Sequence, residues 1–141
     1  MARGAAGSYN RRVIEFHLDG RSGVATYVQI VQQVREALRL GVLDVGDQLP
    51  TVREVVAELA INPNTVAKAY RELEREGLVV ARQGRGTFVA STLGTPSLEH
   101  HDALRRDLEH WLRAAARAGL DEESIRALIS STLREALRRV A

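Results

Sequence analysis

Cysteine is absent from this 141-residue chain, which excludes disulfide scaffolds, zinc sites built on cysteine and thiol nucleophiles together. Aromatic residues make up only 4% of the chain, so a base-stacking platform or an aromatic ligand cage is not expected. No apolar run approaches the roughly 18 residues needed to span a bilayer. The start, Met1 to Gly4, lacks the apolar stretch of a signal peptide. The sequence therefore predicts a cytoplasmic protein with no membrane partner.

An excess of one charge is lacking too, because 20 basic side chains stand against 18 acidic ones and the formal net charge is +2. A strongly basic total would indicate a nucleic-acid partner, and this total does not. Lysine is nearly absent: Lys68 is the single one, and arginine supplies the other 19 cations. A basic binding surface on this protein must therefore be local.

The composition that is present is that of a globular protein, with 45% hydrophobic and 27% charged residues. The length suits one compact domain, or a small domain with an appended piece. Residues 1–12 are small, polar and basic without periodicity, which predicts a flexible tail. Ile14, Phe16 and Leu18 alternate with polar residues, which predicts a short strand.

Three helices are predicted in the first half of the chain. Over residues 27–38, apolar side chains recur at intervals of three and four, which is typical of one buried helix face. A second, short helix is predicted after Thr51, because Thr51 and Glu54 have the spacing of a capping box. The third is predicted to begin after Asn62, a good N-cap that precedes a proline, and to end at Gly77.

A β-hairpin is predicted directly after the third helix. Residues 78–81 and 87–89 are β-rich runs on either side of a glycine-containing turn at 83–86. Two short helices joined by a tight turn and followed at once by a hairpin are typical of a winged helix-turn-helix. In that arrangement the second of the two helices lies in the major groove of DNA, and the hairpin reaches the flanking groove or the phosphates.

The last third of the chain is predicted to form two amphipathic helices, which Gly119 separates. Asp121 can cap the second of them. Each helix carries one apolar stripe that it cannot bury alone, so we expect the two to pack on each other and on a second copy of the chain. The expected dimerisation residues are Leu104, Leu108, Trp111, Leu112, Ile125, Leu128, Ile129, Leu133 and Leu137.

The predicted fold class is therefore α+β, with an N-terminal winged helix-turn-helix followed by a small two-helix C-terminal dimerisation region. The expected parts are a flexible tail at 1–12, a winged helix-turn-helix DNA-binding domain at 13–90, a linker at 91–97 and a helical dimerisation domain at 98–141. The linker is assigned from its composition of serine, threonine, glycine and proline.

Charge is distributed unevenly along the predicted winged helix. Residues 62–71 contain Lys68 and Arg71 and no acid, whereas residues 72–76 contain three acids. Residues 77–90 again contain two cations and no acid. The dipole of the third helix adds positive potential at its N-terminus. These distributions predict a narrow DNA-contacting patch on a protein whose total charge is nearly neutral.

Three blocks of sequence follow one another in unbroken order: residues 49–54 (LPTVRE), 62–78 (NPNTVAKAYRELEREGL) and 84–89 (GRGTFV). Together they resemble the GntR family of bacterial transcription regulators. The wording of the second block and the short C-terminal part are similar to the YtrA subfamily of that family. The resemblance implies a homodimeric repressor that binds a pseudo-palindromic operator in double-stranded DNA.

The resemblance also implies that Arg53, the helix tip at Asn64 and Thr65, and the hairpin around Gly84 touch DNA. By their chemistry, asparagine suits a bidentate contact to adenine, and the cations suit phosphates. The full set of expected DNA-contacting residues is Thr51, Arg53, Asn62, Asn64, Thr65, Lys68, Tyr70, Arg71, Arg82, Gln83, Gly84, Arg85, Gly86 and Thr87.

Some of these residues also have a plain structural interpretation. Arg53, Lys68 and Arg71 could be solvated charges that pair with nearby glutamates. Tyr70 fits the core of the third helix, with only its hydroxyl within reach of the DNA backbone. Ala60 occupies a place where helix-turn-helix units usually have glycine.

Two alternative functions are open at this point. A winged helix can serve as a protein-interaction module, with the helical C-terminal part as its partner surface. His100, His101 and His110 suggest a metal-responsive regulator, but their spacing does not place three ligands on one helix face, so no metal site and no cofactor are expected. No triad, phosphate loop or carboxylate pair indicates an enzyme. The sequence does not identify a small-molecule effector.

Overall fold

The computed structural model describes residues 14–93 and 98–140, with the backbone alone for 98–100. The predicted tail at 1–12, residues 94–97 of the predicted linker and the side chain of His100 lie outside this part. The described residues fall into two compact units, residues 14–93 and residues 98–140. The described elements are α1 (Thr26–Arg39), α2 (Val52–Leu59), α3 (Pro63–Arg75), β1 (Val79–Arg82), β2 (Gly86–Val89), α4 (Leu98–Arg117) and α5 (Glu122–Val140).

The core of the first unit lies between α1, α2, α3 and the hairpin. On α1, the side chains of Ile30, Val34 and Leu38 are fully buried, at the intervals of four that the sequence predicted. They meet the buried face of α3, which is the helix in contact with α1, α2 and β1. Further buried residues of this core are Leu43, Leu49, Val55, Val66, Ala69, Tyr70, Leu73, Leu78, Val79 and Val89.

Side-chain caps define where α2 and α3 begin. The Glu54 backbone N–H donates to Thr51 Oγ1 at 3.0 Å, and the Thr51 backbone N–H donates to Glu54 Oε1 at 2.9 Å, which confirms the predicted capping box. Asn62 Oδ1 accepts from the Asn64 backbone N–H at 2.8 Å, as expected of an N-cap. These caps satisfy N–H groups that the first helical turns leave without a partner.

The turn between α2 and α3 contains a backbone conformation that favours glycine. Ala60 has φ of 55°, in the left-handed region, where it ends α2. A side chain in this region costs roughly 1–2 kcal/mol, because Cβ crowds the following carbonyl oxygen. The packing of α2 and α3 on either side of the turn therefore offsets this cost.

The prediction of a strand at residues 14–18 is wrong, because this segment does not form the hydrogen bonds of a sheet. The predicted alternation of buried and exposed side chains is present. Ile14 and Phe16 are buried, but no strand pairs with this segment within the described residues. Instead, Gln33 on α1 binds the backbone of His17: the His17 N–H donates to Gln33 Oε1 at 2.9 Å, and Gln33 Nε2 donates to the His17 carbonyl at 2.7 Å. A side-chain amide thus takes the place of a neighbouring strand.

Gln29, one turn earlier on α1, holds the same segment from a buried position. Its Oε1 accepts from the Asp19 backbone N–H at 2.8 Å, and its Nε2 donates to the Asp19 carbonyl at 3.0 Å. The same amide nitrogen lies 3.2 Å from Ser22 Oγ and 2.9 Å from the Val24 carbonyl. One buried amide therefore closes the loop that precedes α1.

The predicted hairpin is confirmed as β1 and β2, an antiparallel pair in which Val79 lies opposite Val89 and Arg82 opposite Gly86. A segment at residues 46–49 adds to the other edge of β2. There the Leu49 backbone N–H donates to the Thr87 carbonyl at 2.9 Å, and a single β-bridge joins Gln48 to Phe88. The hairpin of β1, β2 and the turn between them is the wing of the fold, and it is thus supported along both edges of β2.

The second unit consists of α4 and α5. The Ser124 backbone N–H donates to Asp121 Oδ1 at 2.8 Å, which confirms the predicted cap of α5 and holds the pKa of that carboxyl below its usual range. Apolar side chains of both helices face an open groove of about 530 Å³. Over residues 14–93 and 98–140, no helix has the length and hydrophobicity to cross a membrane.

Replacement of Gln29 by alanine is expected to lower the free energy of unfolding by about 1–3 kcal/mol, because the four part-buried hydrogen bonds between its amide and the 19–24 loop are lost. Gln32→Ala is the matched control: Gln32 is exposed on the same helix and makes no side-chain hydrogen bond in the described structure. Its effect is expected to stay within about 0.5 kcal/mol. Urea unfolding followed by circular dichroism compares the two, and equal losses would contradict the role of Gln29.

Candidate nucleic-acid interface

The two faces of α3 have opposite character. Val66, Ala69 and Leu73 are fully buried against the core. Asn64, Lys68 and Arg71 recur at intervals of four and three on the opposite side, and all three are exposed. Because an α-helix turns once every 3.6 residues, burial of one stripe directs the other outward. The tip and the first two turns of α3 therefore present an amide and two cations to solvent.

The cations expected to touch DNA are exposed and lie outside the salt bridges of the described residues. In the described part of the chain, none of the salt bridges involves Arg53, Lys68, Arg71, Arg82 or Arg85. Arg53 follows the cap of α2 and is exposed. A cation without an internal partner retains its full attraction for a phosphate.

The acids of α3 are bound within the protein at the other end of the helix. Glu76 pairs with Arg35 of α1 at 2.7 Å, and Glu72 pairs with Arg75. The hydrogen bond from Arg75 holds the pKa of Glu72 below its usual range. Glu74 accepts from the backbone N–H of Ala81 on β1 at 3.3 Å. Negative charge on α3 is thus confined to the end that anchors the helix to α1 and β1.

Lys68 has an aromatic neighbour that sequence reasoning missed. Its Nζ lies 4.2 Å from the centre of the Tyr27 ring, at the start of α1. This cation–π contact restricts the ammonium group without neutralising it, and Lys68 remains exposed. Tyr27 belongs to the periodic face of α1, so the sequence pattern placed it in the core; the structure leaves it half-buried.

Two expected contact residues at the helix starts already have a structural role. The hydroxyl oxygen of Thr51 and the amide oxygen of Asn62 accept the capping hydrogen bonds. Both residues are exposed, and the side-chain amide nitrogen of Asn62 remains available as a donor. Thr65, beside the exposed Asn64, is half-buried.

Tyr70 lies in the core, as its position on the third helix predicted, but the expectation that its hydroxyl reaches DNA requires a correction. It is 6% exposed, and its hydroxyl donates to the Pro50 carbonyl at 2.6 Å. Burial, assisted by the nearby Glu54 carboxylate, raises the pKa of this hydroxyl. A buried hydroxyl whose proton is committed cannot donate to a phosphate. Tyr70 instead joins α3 to the residue that precedes the α2 cap.

The wing presents its turn to solvent. Arg82, Gln83, Gly84 and Arg85 are exposed, while Gly86 and Thr87 are half-buried. The Arg85 backbone N–H donates to the Arg82 carbonyl at 2.9 Å, and Gly84 has φ of 75°, which a side chain would disfavour. The Arg82 guanidinium lies 6.0 Å from the centre of the Phe88 ring. The turn thus carries two cations at its ends.

The metal hypothesis finds no support in the described geometry. Over residues 14–93 and 98–140, no three His, Asp or Glu side chains are placed to hold a metal ion. His101 and His110 belong to α4, and the side chain of His100 lies outside the described residues.

Residues 26–89 match the family described as bacterial regulatory proteins, gntR family. The HTH-type transcriptional repressor YtrA of Bacillus subtilis (strain 168) is 38% identical over 109 residues, which cover 77% of this chain and 84% of that relative. Since the relative is matched over most of its own length, the similarity is not confined to a shared motif.

Two solved structures are similar in fold as well as in sequence. A transcriptional antiterminator from Listeria monocytogenes EGD-e aligns with a TM-score of 0.54 and 32% identity, covering 84% of this chain and 90% of that one. YtrA from Sulfolobus acidocaldarius, a GntR-family transcription factor, aligns with a TM-score of 0.51 and 34% identity, covering 70% of this chain and 97% of that one.

Tyr70→Phe is expected to reduce the free energy of unfolding by about 0.5–1.5 kcal/mol, because the part-buried hydrogen bond from its hydroxyl to the Pro50 carbonyl is lost. The slope of DNA affinity against salt concentration should be unchanged, because no cation is removed. Chemical unfolding and DNA titration over a salt series measure the two effects. A loss of affinity with no loss of stability would contradict the structural role of the buried hydroxyl bond and return Tyr70 to the contact surface.

Proposed function

This chain belongs to the GntR family of bacterial regulatory proteins, and on that premise we propose that it represses transcription as a homodimer bound to a pseudo-palindromic operator. As a member of that family it is a DNA-binding transcriptional regulator and not an enzyme. The observation that carries the proposal is the outward row of Asn64, Lys68 and Arg71 on α3, none of which forms an ion pair with another described residue.

In this proposal α3 enters the major groove with its N-terminal end toward the base edges. Asn64, at the tip, has an amide suited to a bidentate contact with adenine, and Thr65 beside it is suited to a thymine methyl or a phosphate. Lys68 and Arg71, one and two turns further on, contact phosphates along the groove. Asn62 adds its amide nitrogen at the same tip.

Arg53 and the wing extend the proposed contact on both sides of α3. Arg53 lies next to the Thr51 cap, and the bond from Tyr70 to the Pro50 carbonyl holds the start of α2 against α3. On the wing, Arg82 and Arg85 contact phosphates that flank the groove. Gln83, Gly84, Gly86 and Thr87 supply the close-approaching backbone and polar groups of the same turn.

Homodimerisation is proposed for the second unit, because its apolar stripe is left exposed. Leu104 and Leu133 are each 54% exposed, and Leu137 is 60% exposed. Exposed apolar patches of this kind on a soluble protein mark interaction sites. A second copy is the favoured occupant, since a two-fold dimer reads two half-sites about 10 bp apart. The proposed interface residues are Leu104, Leu108, Trp111, Leu112, Ile125, Leu128, Ile129, Leu133 and Leu137, of which Leu112 and Ile125 are already half-buried within one chain.

Repression is the proposed outcome of DNA binding, because a dimer that covers a promoter excludes the polymerase. The name of the Bacillus subtilis relative, a transcriptional repressor, supports this direction of control. No observation favours the alternative of a protein-interaction module.

Lys68→Ala is expected to weaken binding to all DNA sequences and to reduce the slope of log affinity against log salt by about 1, because one phosphate contact is lost. Arg53→Ala is expected to cost about 1–3 kcal/mol and to relax the preference for one base, if it reads a base edge. The probe is a duplex that the wild-type protein selects from a random pool, titrated over a salt series.

The matched control for these cations is Arg39→Ala. Arg39 is exposed at the far end of α1, about 18 Å along the helix from Tyr27, and is expected to leave affinity and slope unchanged. The proposed surface would be refuted if the wild-type protein selects no duplex at low salt. It would also be refuted if Arg39→Ala loses as much DNA affinity as Lys68→Ala.

Leu133→Glu is expected to convert the protein to a monomer with an intact first unit, because a charge would be buried unpaired in the dimer but solvated in the monomer. Ser131→Glu is the control, since Ser131 lies on the opposite side of α5 from Leu133 and the groove. Sedimentation velocity separates the two species. A Leu133 variant that sediments as a dimer, or a wild-type protein that sediments as a monomer, would refute the interface.

A further inference from the structure

We propose that Gln48 is a positioning residue for DNA binding: its side-chain amide holds the turn of the wing and thereby sets where Arg85 is presented. The inference rests on the proposed contact between the wing and DNA. Gln48 lies outside the β1–β2 hairpin and carries no charge. The family resemblance did not single it out as a contact residue.

The backbone of Gln48 is in register with the wing. Residues 46–49 lie along the edge of β2 that β1 leaves open, and a β-bridge joins Gln48 to Phe88. On either side of that bridge, the Val89 backbone N–H donates to the Asp47 carbonyl at 2.8 Å, and the Leu49 backbone N–H donates to the Thr87 carbonyl at 2.9 Å. Any side chain at position 48 therefore starts from a fixed place beside the wing.

The Gln48 side chain spans the distance from that place to the turn. Its Nε2 donates to the Arg85 carbonyl at 3.1 Å. The amide lies directly against the backbone of the turn, because a Cβ built on Gly86 would come within 2.5 Å of Nε2. Glycine at position 86 thus meets two requirements, a φ of 127° and room for the Gln48 amide.

The turn has little else to hold it. Arg82 and Gly86 pair across the ends of the turn. Within the turn, residues 83–85 have one backbone hydrogen bond in the described structure, from the Arg85 N–H to the Arg82 carbonyl. An isolated two-stranded hairpin is marginally stable in water. Gln48 binds the carbonyl of the same residue whose exposed guanidinium is proposed to meet a phosphate. Its loss would therefore widen the range of positions that Arg85 samples.

A positioning role differs measurably from a direct phosphate contact and from a general role in stability. Because Gln48 carries no charge, its removal leaves the number of displaced counterions, and hence the salt slope, unchanged. Because its hydrogen bond is exposed, the midpoint of thermal unfolding should shift by no more than about 2 °C. Affinity for DNA should fall nevertheless.

The experiment compares Gln48→Met with the wild-type protein on the duplex that the wild type selects from a random pool. Methionine keeps the length of the side chain and removes the donor. The expected loss of affinity is about three- to tenfold, the size of one net hydrogen bond. In an Arg85→Ala background the same change should have no further effect, because the group that Gln48 positions is gone. Gln32→Met, an exposed substitution on α1, is the matched control.

A second readout does not depend on DNA. In the unliganded Gln48→Met protein, the Arg85 amide should exchange with deuterium several-fold faster, while the amides of α3 keep their wild-type rates. The proposal would be overturned if Gln48→Met binds DNA with wild-type affinity or with a reduced salt slope. It would also be overturned if the losses of affinity from Gln48→Met and Arg85→Ala add in the double variant. If the wild-type protein selects no duplex, the proposed function fails, and amide exchange still decides whether Gln48 holds the turn.

Discussion

Burial of one face of α3 is the constraint on which the rest of this structure depends. Val66, Ala69 and Leu73 are fully buried where α1, α2 and β1 meet the helix. Since the helical repeat relates the buried and exposed faces, this packing also decides that Asn64 and Lys68 point outward. Displacing any of the three neighbouring elements would rotate or release the surface proposed to read DNA. Stability and recognition are thus two consequences of the same helix orientation.

Separation of charge along α3 explains how a nearly neutral chain can present a basic surface. The acids at the end of the helix are bound to Arg35, Arg75 and the backbone of β1, so they contribute to anchoring. The cations nearer its start have no such partners among the described residues. Since exposed charges are screened beyond about 10 Å at 0.1 M salt, a phosphate close to the helix tip is influenced mainly by the nearby cations. Net charge over the whole chain is therefore a poor guide to local affinity.

Much of the fold could be predicted because its signals are local. The capping box at Thr51, the Asn62 cap, the Asp121 cap and the hairpin were expected from a few adjacent residues each, and the structure contains them. The strand expected at residues 14–18 is absent, because a strand needs a partner from elsewhere in the chain and Gln33 supplies the bonds instead. The candidate DNA-contacting side chains could be named from residue type and family resemblance, but their exposure could not.

The sequence by itself determined the order of the elements, their caps, the segregation of charge and the family to which the chain is similar, since all of these depend on residue identity and short spacing. The tertiary structure alone decided that the Tyr70 hydroxyl is committed to the Pro50 carbonyl, that Lys68 lies over Tyr27, and that Gln48 reaches the wing. Each of these contacts joins residues that are 20 or more positions apart, and no local pattern encodes which distant backbone or ring a side chain will meet. That choice depends on how the helices and the hairpin pack.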